Sequence, residues 1–530
     1  MQSSLVIPLS ELGICATSWP LLGALTATCF VLGFLQYHTK PHPLAHLPGP
    51  KPSSFLFGNM FEVLGAMASW QTLGNYPEPF LSWIRSYGGV VRVRQLFSYA
   101  LILSDPKAIQ HVFLTHADNY PRDPMINVIM ADILLGVSVA STNGALHTKY
   151  RKLFAPHFTA ARVKSFLAMF KAQALVTCER LLLIMGSHDH ATLDLQPLLH
   201  HLTLNTIGLA ACGLNFDDHP NAHAAYKNYT AVPSVPILVG MLAVPGFMRL
   251  PLPEIRRRRQ AQDAMRQVIT DVIDAKLAKA KGMQDAKLDI ATVDFLDAIL
   301  PESTVQEAVA HTMTVLSGGQ DTTSSVLSWT LAVLATHPRV VALLRAEHAD
   351  VMQRYDQSLA SPEAVSDLKY TLAVIQESMR LNMVSEGVTT RTTQQADRLP
   401  MEDGTMVEVP AGTQMMVKYG ALHRNPRYWT RPDEFIPDRF IEHSVEWNAD
   451  LALRHGQSHA FYYMPFSAGV MNCVGSRFAL AEMQIIIATL VSRFDFELTA
   501  DADLRHTFTG GALHPTKLAM HVRRVQAASA

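Results

Sequence analysis

The stretch Phe466-Ser467-Ala468-Gly469-Val470-Met471-Asn472-Cys473-Val474-Gly475 places one cysteine between two glycines. It follows Pro465 and leads into helix-like text, Ser476-Arg477-Phe478-Ala479-Leu480-Ala481-Glu482. A cysteine just ahead of a helix N-terminus meets free backbone N–H groups and the positive end of the helix dipole, and both favour thiolate. A thiolate there suits a metal ligand, and the glycines would let the backbone approach a flat cofactor. Taken alone, the stretch is equally a free cysteine in a turn.

A second stretch, Leu316-Ser317-Gly318-Gly319-Gln320-Asp321-Thr322-Thr323-Ser324-Ser325, lies inside long, apolar, helical text. Two adjacent glycines within a helix cost roughly 1 kcal/mol each relative to alanine, so something must compensate. Close approach of a cofactor or small ligand would do so. Thr322 can bond back to a preceding carbonyl, and Asp321 with Thr322 offers an acid and a hydroxyl for a proton relay. The competing reading is a polar kink in a core helix.

Two weaker patterns accompany these. Glu377 and Arg380 share a helix face at i,i+3 spacing, and Arg439, in Pro437-Asp438-Arg439-Phe440, follows about sixty residues later. A buried carboxylate held by two guanidinium groups would be a structural lock. His147 and Arg151, in Gly144-Ala145-Leu146-His147-Thr148-Lys149-Tyr150-Arg151, are four apart and could donate to an anionic group; a solvent-facing basic helix explains them as well.

The elements that must position these residues are mainly helical. From about Ala108 to Leu381 apolar residues recur at three- and four-residue spacing, and another helix is expected from about Ser476 to Arg493. Val90-Val91-Arg92-Val93-Arg94 and Leu101-Ile102-Leu103 alternate as strands, and Leu399 to Val417 reads as strand and turn. Pro41-His42-Pro43 and Leu47-Pro48-Gly49-Pro50-Lys51-Pro52 predict a stiff, extended hinge. Val232 to Leu250 is apolar but carries three prolines, and reads as a lid or membrane-dipping loop. Arg256 to Arg259 reads as a solvated helix start, with contact to anionic lipid as the alternative. Asn228-Tyr229-Thr230 fits the glycosylation acceptor pattern, which a cytosolic domain would leave unused.

Composition narrows the class. The 530 residues carry 44 basic and 45 acidic side chains for a net charge of -1, which gives no electrostatic reason to expect a nucleic-acid partner. Five scattered cysteines without a C-x-x-C pair indicate neither a disulfide scaffold nor a zinc ribbon. From Leu12 to Thr39 there is no Asp, Glu, Lys or Arg. The span Trp19 to Tyr37 would measure ~28 Å as a helix, close to the ~30 Å hydrocarbon thickness. Lys40 and Lys51 follow it, so the positive-inside rule places the rest in the cytosol. Residues 1–40 are therefore expected to be a membrane anchor, in contact with lipid, and 41–530 a catalytic unit. A cleaved signal peptide is the rival, but it lacks a positive leading region.

These four motifs, in this order and spacing, resemble the cytochrome P-450 family from the proline hinge to the C-terminus. The resemblance implies a mainly α fold, one large helical domain with small β-sheets preceded by a single N-terminal transmembrane helix. This replaces the two to four domains that length alone suggests. It implies haem b, with Cys473 as the axial thiolate that favours O–O cleavage, and Phe466, Gly469 and Gly475 in the ligand loop. Asp321 and Thr322 would supply protons during dioxygen (O2) activation, with Gly318 and Gly319 making room. Glu377, Arg380 and Arg439 would form the structural triad. His147, Arg151 and Arg391 would hold the haem propionates.

The detail of His147 where many members carry tryptophan, together with His423-Arg424-Asn425-Pro426, resembles fungal microsomal members, often of secondary metabolism. Met471 departs from the family, where Arg or His is common, and Leu381-Asn382-Met383-Val384 lacks the usual prolines. No flavin-binding text follows, so an NADPH-cytochrome reductase on the same endoplasmic reticulum membrane is the expected electron donor. A lipophilic small-molecule substrate is expected against Pro121–Ala140, Val232–Leu250, Ala310–Ser317, Val384–Thr390 and Thr507–Leu513. A haem-thiolate isomerase or dehydratase, and a non-catalytic membrane haem-binding protein, are the competing functions.

Overall fold

The computed structural model describes Thr28, Val31, Leu32 and His42 onward, apart from residues 97, 232–233, 235–236, 238–239, 241–245, 283–292, 356–357, 387–389 and 526–530. Apart from Thr28, Val31 and Leu32, the expected Trp19–Tyr37 span lies outside the described residues, as does most of the Val232–Leu250 lid. Among the described residues no single helix is long and apolar enough to cross a membrane.

Helices dominate, and four small sheets lie at the edges of the helical body. Strands β1 (Val90–Gln95), β2 (Ser98–Leu103), β7 (Gln414–Val417) and β4 (Arg391–Thr392) form one sheet in the order β1-β2-β7-β4. In this sheet β2 and β7 run parallel, with Leu101 opposite Met415. β5 (Asp397–Pro400) pairs with β6 (Met406–Val409), and β9 (Asp503–Phe508) with β10 (Leu513–Lys517).

The third sheet departs from the sequence reading. β3 (His190–Asp194) is a strand inside text expected to be helical, and it pairs with β11 (Ala519–Arg524), which also pairs with β8 (Phe494–Leu498). The partners of β3 lie more than three hundred residues away, so no local pattern announces them. The hinge is corrected too. Residues 43–47 turn instead of extending, Leu44 is fully buried, and Arg92 of β1 donates its N–H to the Pro48 carbonyl at 2.9 Å. A Cβ on Gly49 would stand 2.0 Å from the Arg92 carbonyl oxygen, so this segment is packed on the sheet.

Five helices carry the site: α1 (Gly144–Phe154), α2 (Gln196–Cys212), α3 (Val305–Leu334), α4 (Lys369–Leu381) and α5 (Ser476–Val491). α3 has 30 residues, a rod of ~45 Å through the middle of the molecule. Its start is fixed by a capping box: Thr304 Oγ1 accepts the Glu307 N–H at 3.2 Å, and Glu307 Oε2 accepts the Thr304 N–H at 2.9 Å. Beyond Glu307 it is buried on nearly all sides, which suits a stretch in which apolar residues mix with small hydroxyl side chains that bond back to their own helix, as Ser328 and Thr330 do.

The two chemically suggestive glycines sit mid-way along α3 without breaking it. A Cβ on Gly319 would meet Ile207 of α2 at 2.6 Å, so this glycine lets two core helices close on each other. Gly318 has nothing within 4 Å of its Cβ position and faces open space.

Arg256–Arg259 opens the helix Pro253–Gly282 and is only partly solvated. Arg258 is ion-paired to Asp132 at 2.9 Å, while Arg256 and Arg257 are exposed. In the Asn228 triplet, Tyr229 is buried and donates its hydroxyl to the Ile133 carbonyl.

Candidate active site

The cysteine loop is held from behind. The Cys473 N–H donates to the Phe466 carbonyl at 2.9 Å, closing the loop on itself. Gly469 has φ +71°, and a Cβ there would stand 1.7 Å from the Phe113 carbonyl oxygen. Gly469 therefore serves the packing of the loop against residues 111–115 and does not reach the cavity, contrary to the expectation that it touches a cofactor.

The Cys473 thiol lines a cavity of about 350 Å³ together with Phe466, Met471 and Gly475. It is accessible from this cavity yet lies deep within the protein. Burial pushes its pKa up, while the Gly475 N–H and the Arg151 charge oppose that rise. Burial thus works against the N–H groups of the helix start, and a coordinated metal ion would deprotonate the thiol outright.

α3 supplies another part of the lining. Gly318, Gly319 and Thr322 line the same cavity as Cys473. Thr322 Oγ1 donates to the Gly318 carbonyl at 2.7 Å, the back-bond expected of it. Asp321 does not join it. Neighbouring positions on a helix point roughly 100° apart, and Asp321 lines a separate, larger cavity of about 940 Å³ between α2 and α3. There its carboxylate accepts from His514 Nε2 at 2.9 Å and Thr509 Oγ1 at 3.2 Å. Although largely buried, Asp321 is held below the usual carboxylate pKa: burial pushes upward, but His514, His200 and Thr509 outweigh it.

Around the cavity, positive groups gather without acids. His147 and Arg151 of α1 line it, and so does Arg122, which sequence reading missed. Arg391 of β4 stands behind them, with its guanidinium 4.8 Å over the Phe113 ring. Burial first, then the charges of Arg122, Arg151 and Arg391, push the His147 pKa down to about 4. Among the described residues none of the four forms an ion pair. Arg122 sits in a loop with no periodicity; only the strand bridge that pairs it with Arg391 reveals its place.

A sulfur donor, a glycine-opened helix, and three arginines without carboxylate partners beside a neutral His147 that can still donate an N–H fit a flat dianionic metal macrocycle. Cys473 would hold the iron of a haem, and Arg122, His147, Arg151 and Arg391 would meet its propionates.

Comparison with known proteins identifies the family. The family model described as Cytochrome P-450 matches residues 48–522. The chain belongs to the cytochrome P-450 family. As such it is a haem monooxygenase of mainly helical fold.

It is similar to carotene epsilon-monooxygenase of Arabidopsis thaliana, at 27% identity covering 83% of this chain and 80% of that one. It is also similar to cytochrome P-450 monooxygenase 91 of Postia placenta, at 27% identity covering 86% and 89%. Against cytochrome P-450 4F2 of Homo sapiens it is 25% identical, covering 92% and 94%.

Behind this P-450 site lies a buried charge network. Glu377 on α4 takes Arg380 through both oxygens, at 2.6 and 2.9 Å, and Arg439 Nε at 3.0 Å. Arg439 also donates to Asp450 at 2.5 Å, and the Ile436 N–H reaches Glu377 at 2.8 Å. Every one of these side chains is fully buried. Asp450 adds a second acid to the network, beside which Arg454 is also fully buried, and it was not legible in the sequence.

Of the regions assigned to substrate contact, Val139, Ala140, Thr314, Val315, Val384 and Ser385 line the thiolate cavity. Thr509, Gly510 and Gly511 instead line the larger one.

Proposed function

We propose that this chain inserts one oxygen atom of dioxygen into a lipophilic small molecule, a secondary metabolite such as a terpenoid or polyketide. In this reading electrons come from NADPH through a separate cytochrome reductase. Residues 1–40 anchor 41–530 to the cytosolic face of the endoplasmic reticulum membrane, as in fungal microsomal members. The observation that carries the reading is the placement of Cys473 and Thr322 on one cavity whose remaining lining is mostly aliphatic and aromatic. Such a lining favours an apolar substrate and keeps water from the reacting groups. Two Postia placenta monooxygenases and one from Aspergillus aculeatus among the similar proteins support the fungal reading.

Haem bound by Cys473 would supply dioxygen activation. The chain's own residues then position and protonate. Thr322 lines the cavity, and its hydroxyl donates to the Gly318 carbonyl. Asp321, one residue earlier, keeps an ionised carboxylate in the adjoining cavity as a proton acceptor from that side.

The test is the absorption spectrum of the dithionite-reduced, carbon-monoxide-bound membrane protein beside Cys473→Ala. A strongly red-shifted Soret band in the unmutated protein alone supports the reading. Bound haem without that band removes Cys473 as ligand and the reading with it. Substrate-dependent NADPH consumption then separates a monooxygenase from an isomerase, dehydratase or passive haem carrier, which consume none.

A further inference from the structure

Three metal-capable groups meet where the large cavity touches the middle of α3. His200 comes from α2, Asp321 from α3 and His514 from β10, and one donor atom from each lies within 4.8 Å of the other two. Chains separated by more than a hundred residues supply each pair, so the convergence is a product of the fold.

We propose that His200 and His514, backed by Asp321, form a binding site for one divalent cation of the zinc class, entered from the large cavity. The first support is spacing. His200 Nε2 and His514 Nδ1 are 3.4 Å apart. Two nitrogens each ~2.0–2.1 Å from a tetrahedral cation stand ~3.3–3.4 Å apart, whereas a hydrogen bond donated by N–H is usually ~2.7–3.2 Å long. The pair fits a shared cation better than a shared proton.

The second support is orientation. His514 Nε2 bonds Asp321 Oδ1 at 2.9 Å. A carboxylate on the far nitrogen of an imidazole is how metal-ligating histidines are fixed, because it selects the tautomer whose other nitrogen has a free lone pair. That other nitrogen is Nδ1, the one turned to His200. Asp321 is itself held by Thr509, and a Cβ on Gly511 would stand 2.5 Å from Asp321 Oδ2, so the absence of a side chain there makes room for the carboxylate.

The third support is access. His200 and Asp321 line the cavity of about 940 Å³ and His514 lies directly behind them, so an ion and its remaining waters can enter. The donor set, two neutral imidazoles with a carboxylate behind, suits zinc, nickel or copper and disfavours magnesium or calcium. Occupation would fix Asp321 through His514 without touching Cys473, which lies on the other cavity.

The experiment is equilibrium dialysis of the full-length holoprotein against zinc, with bound metal counted by mass spectrometry. Helical content and the carbon-monoxide spectrum are followed as controls for folding. One zinc per chain is expected. It should be lost in His200→Ala and in His514→Ala, and kept in His201→Ala, whose ring lines the same cavity but is bonded to Asp217 at 2.5 Å. Asp321→Asn should weaken binding by about 10- to 100-fold, the usual effect of removing such a backing group. Failure to retain zinc at one equivalent overturns the proposal. So does retention that survives the double variant His200→Ala/His514→Ala while the folding controls are intact. Because the count needs no turnover, it fails or succeeds independently of the monooxygenase reading.

Discussion

Arg151 on α1 donates to Asn472 twice, to its backbone carbonyl at 2.6 Å and to its side-chain oxygen at 2.5 Å, one residue before Cys473. The sequence reading gave Arg151 to a propionate. In the fold it also clamps the ligand loop, so one guanidinium links the rim of the cavity to the cysteine. Lysine keeps the charge but cannot make the forked contact. Arg151→Lys should therefore cost up to about 1.5–3 kcal/mol, the range for hydrogen bonds involving a charged group. It should also lower haem content in proportion to the loosened loop. Chemical unfolding and the ratio of Soret to protein absorbance check both effects.

The two glycines of that loop separate cleanly by experiment. Gly469→Ala meets the Phe113 carbonyl and a positive φ, so the loop cannot close as it stands. Gly475 has φ -86°, and a Cβ there would come no nearer than 3.9 Å to any protein atom. Gly475→Ala should leave protein stability within about 0.5 kcal/mol, the usual span for changes that disturb no packing. Gly469→Ala should fold poorly or lack the thiolate spectrum. Equal behaviour of the two variants would contradict the geometry.

Asp450 carries the next prediction. Removing one partner of a buried charge pair usually costs about 3–5 kcal/mol, because the other charge is left uncompensated. Asp450→Ala should thus destabilise the domain about as much as Glu377→Ala, though it belongs to no recognised motif. Urea midpoints for the two variants decide it.

Asp450 and Arg122 also show where the sequence runs short. Cys473, Thr322, Glu377 and Arg380 were legible because each sits in a local pattern: a glycine-flanked cysteine, an interrupted helix, an i,i+3 pair. Asp450 and Arg122 act through contacts made across the fold, and nothing in their neighbours' identities announces that. The same limit hid β3, and it paired Asp321 with Thr322. Adjacency in sequence suggested a shared site, while the 100° helical step sends the two side chains into different cavities.

The α3 cap gives a pH-dependent stability. The Thr304 N–H, with help from Tyr150, Thr304 Oγ1 and Lys149, holds Glu307 at about 2, below the usual carboxylate value. A depressed folded pKa contributes stability that is present above the unfolded value, ~4.3, and lost as pH falls through the folded one. Thr304→Ala keeps the backbone N–H but removes the hydroxyl that accepts the Glu307 N–H and donates to its carboxylate, at a cost of about 1 kcal/mol near neutral pH. The difference between wild type and variant should shrink as pH falls from about 5 to about 2. A difference that stays constant over this window would show that Glu307 does not titrate through the cap.

Thr322 and Asp321 supply the last prediction, which depends on their facing different cavities. Thr322→Val removes a hydroxyl from the cavity that Cys473 also lines but keeps the volume and the helix, since the lost bond was only to the Gly318 carbonyl of its own turn. The carbon-monoxide spectrum should be unchanged, and product formed per NADPH should fall by about 10²-fold or more, the lower end of what a positioned proton donor contributes. Thr322→Ser should restore most of it. Asp321→Asn acts from the other side of α3, where it breaks the balance with His514 and Thr509. Its loss should appear as a changed pH dependence of turnover with a normal substrate-induced spectral shift, because Asp321 does not line the cavity that the substrate shares with Cys473. A spectral shift lost in Asp321→Asn but kept in Thr322→Val would reverse this assignment of the two cavities.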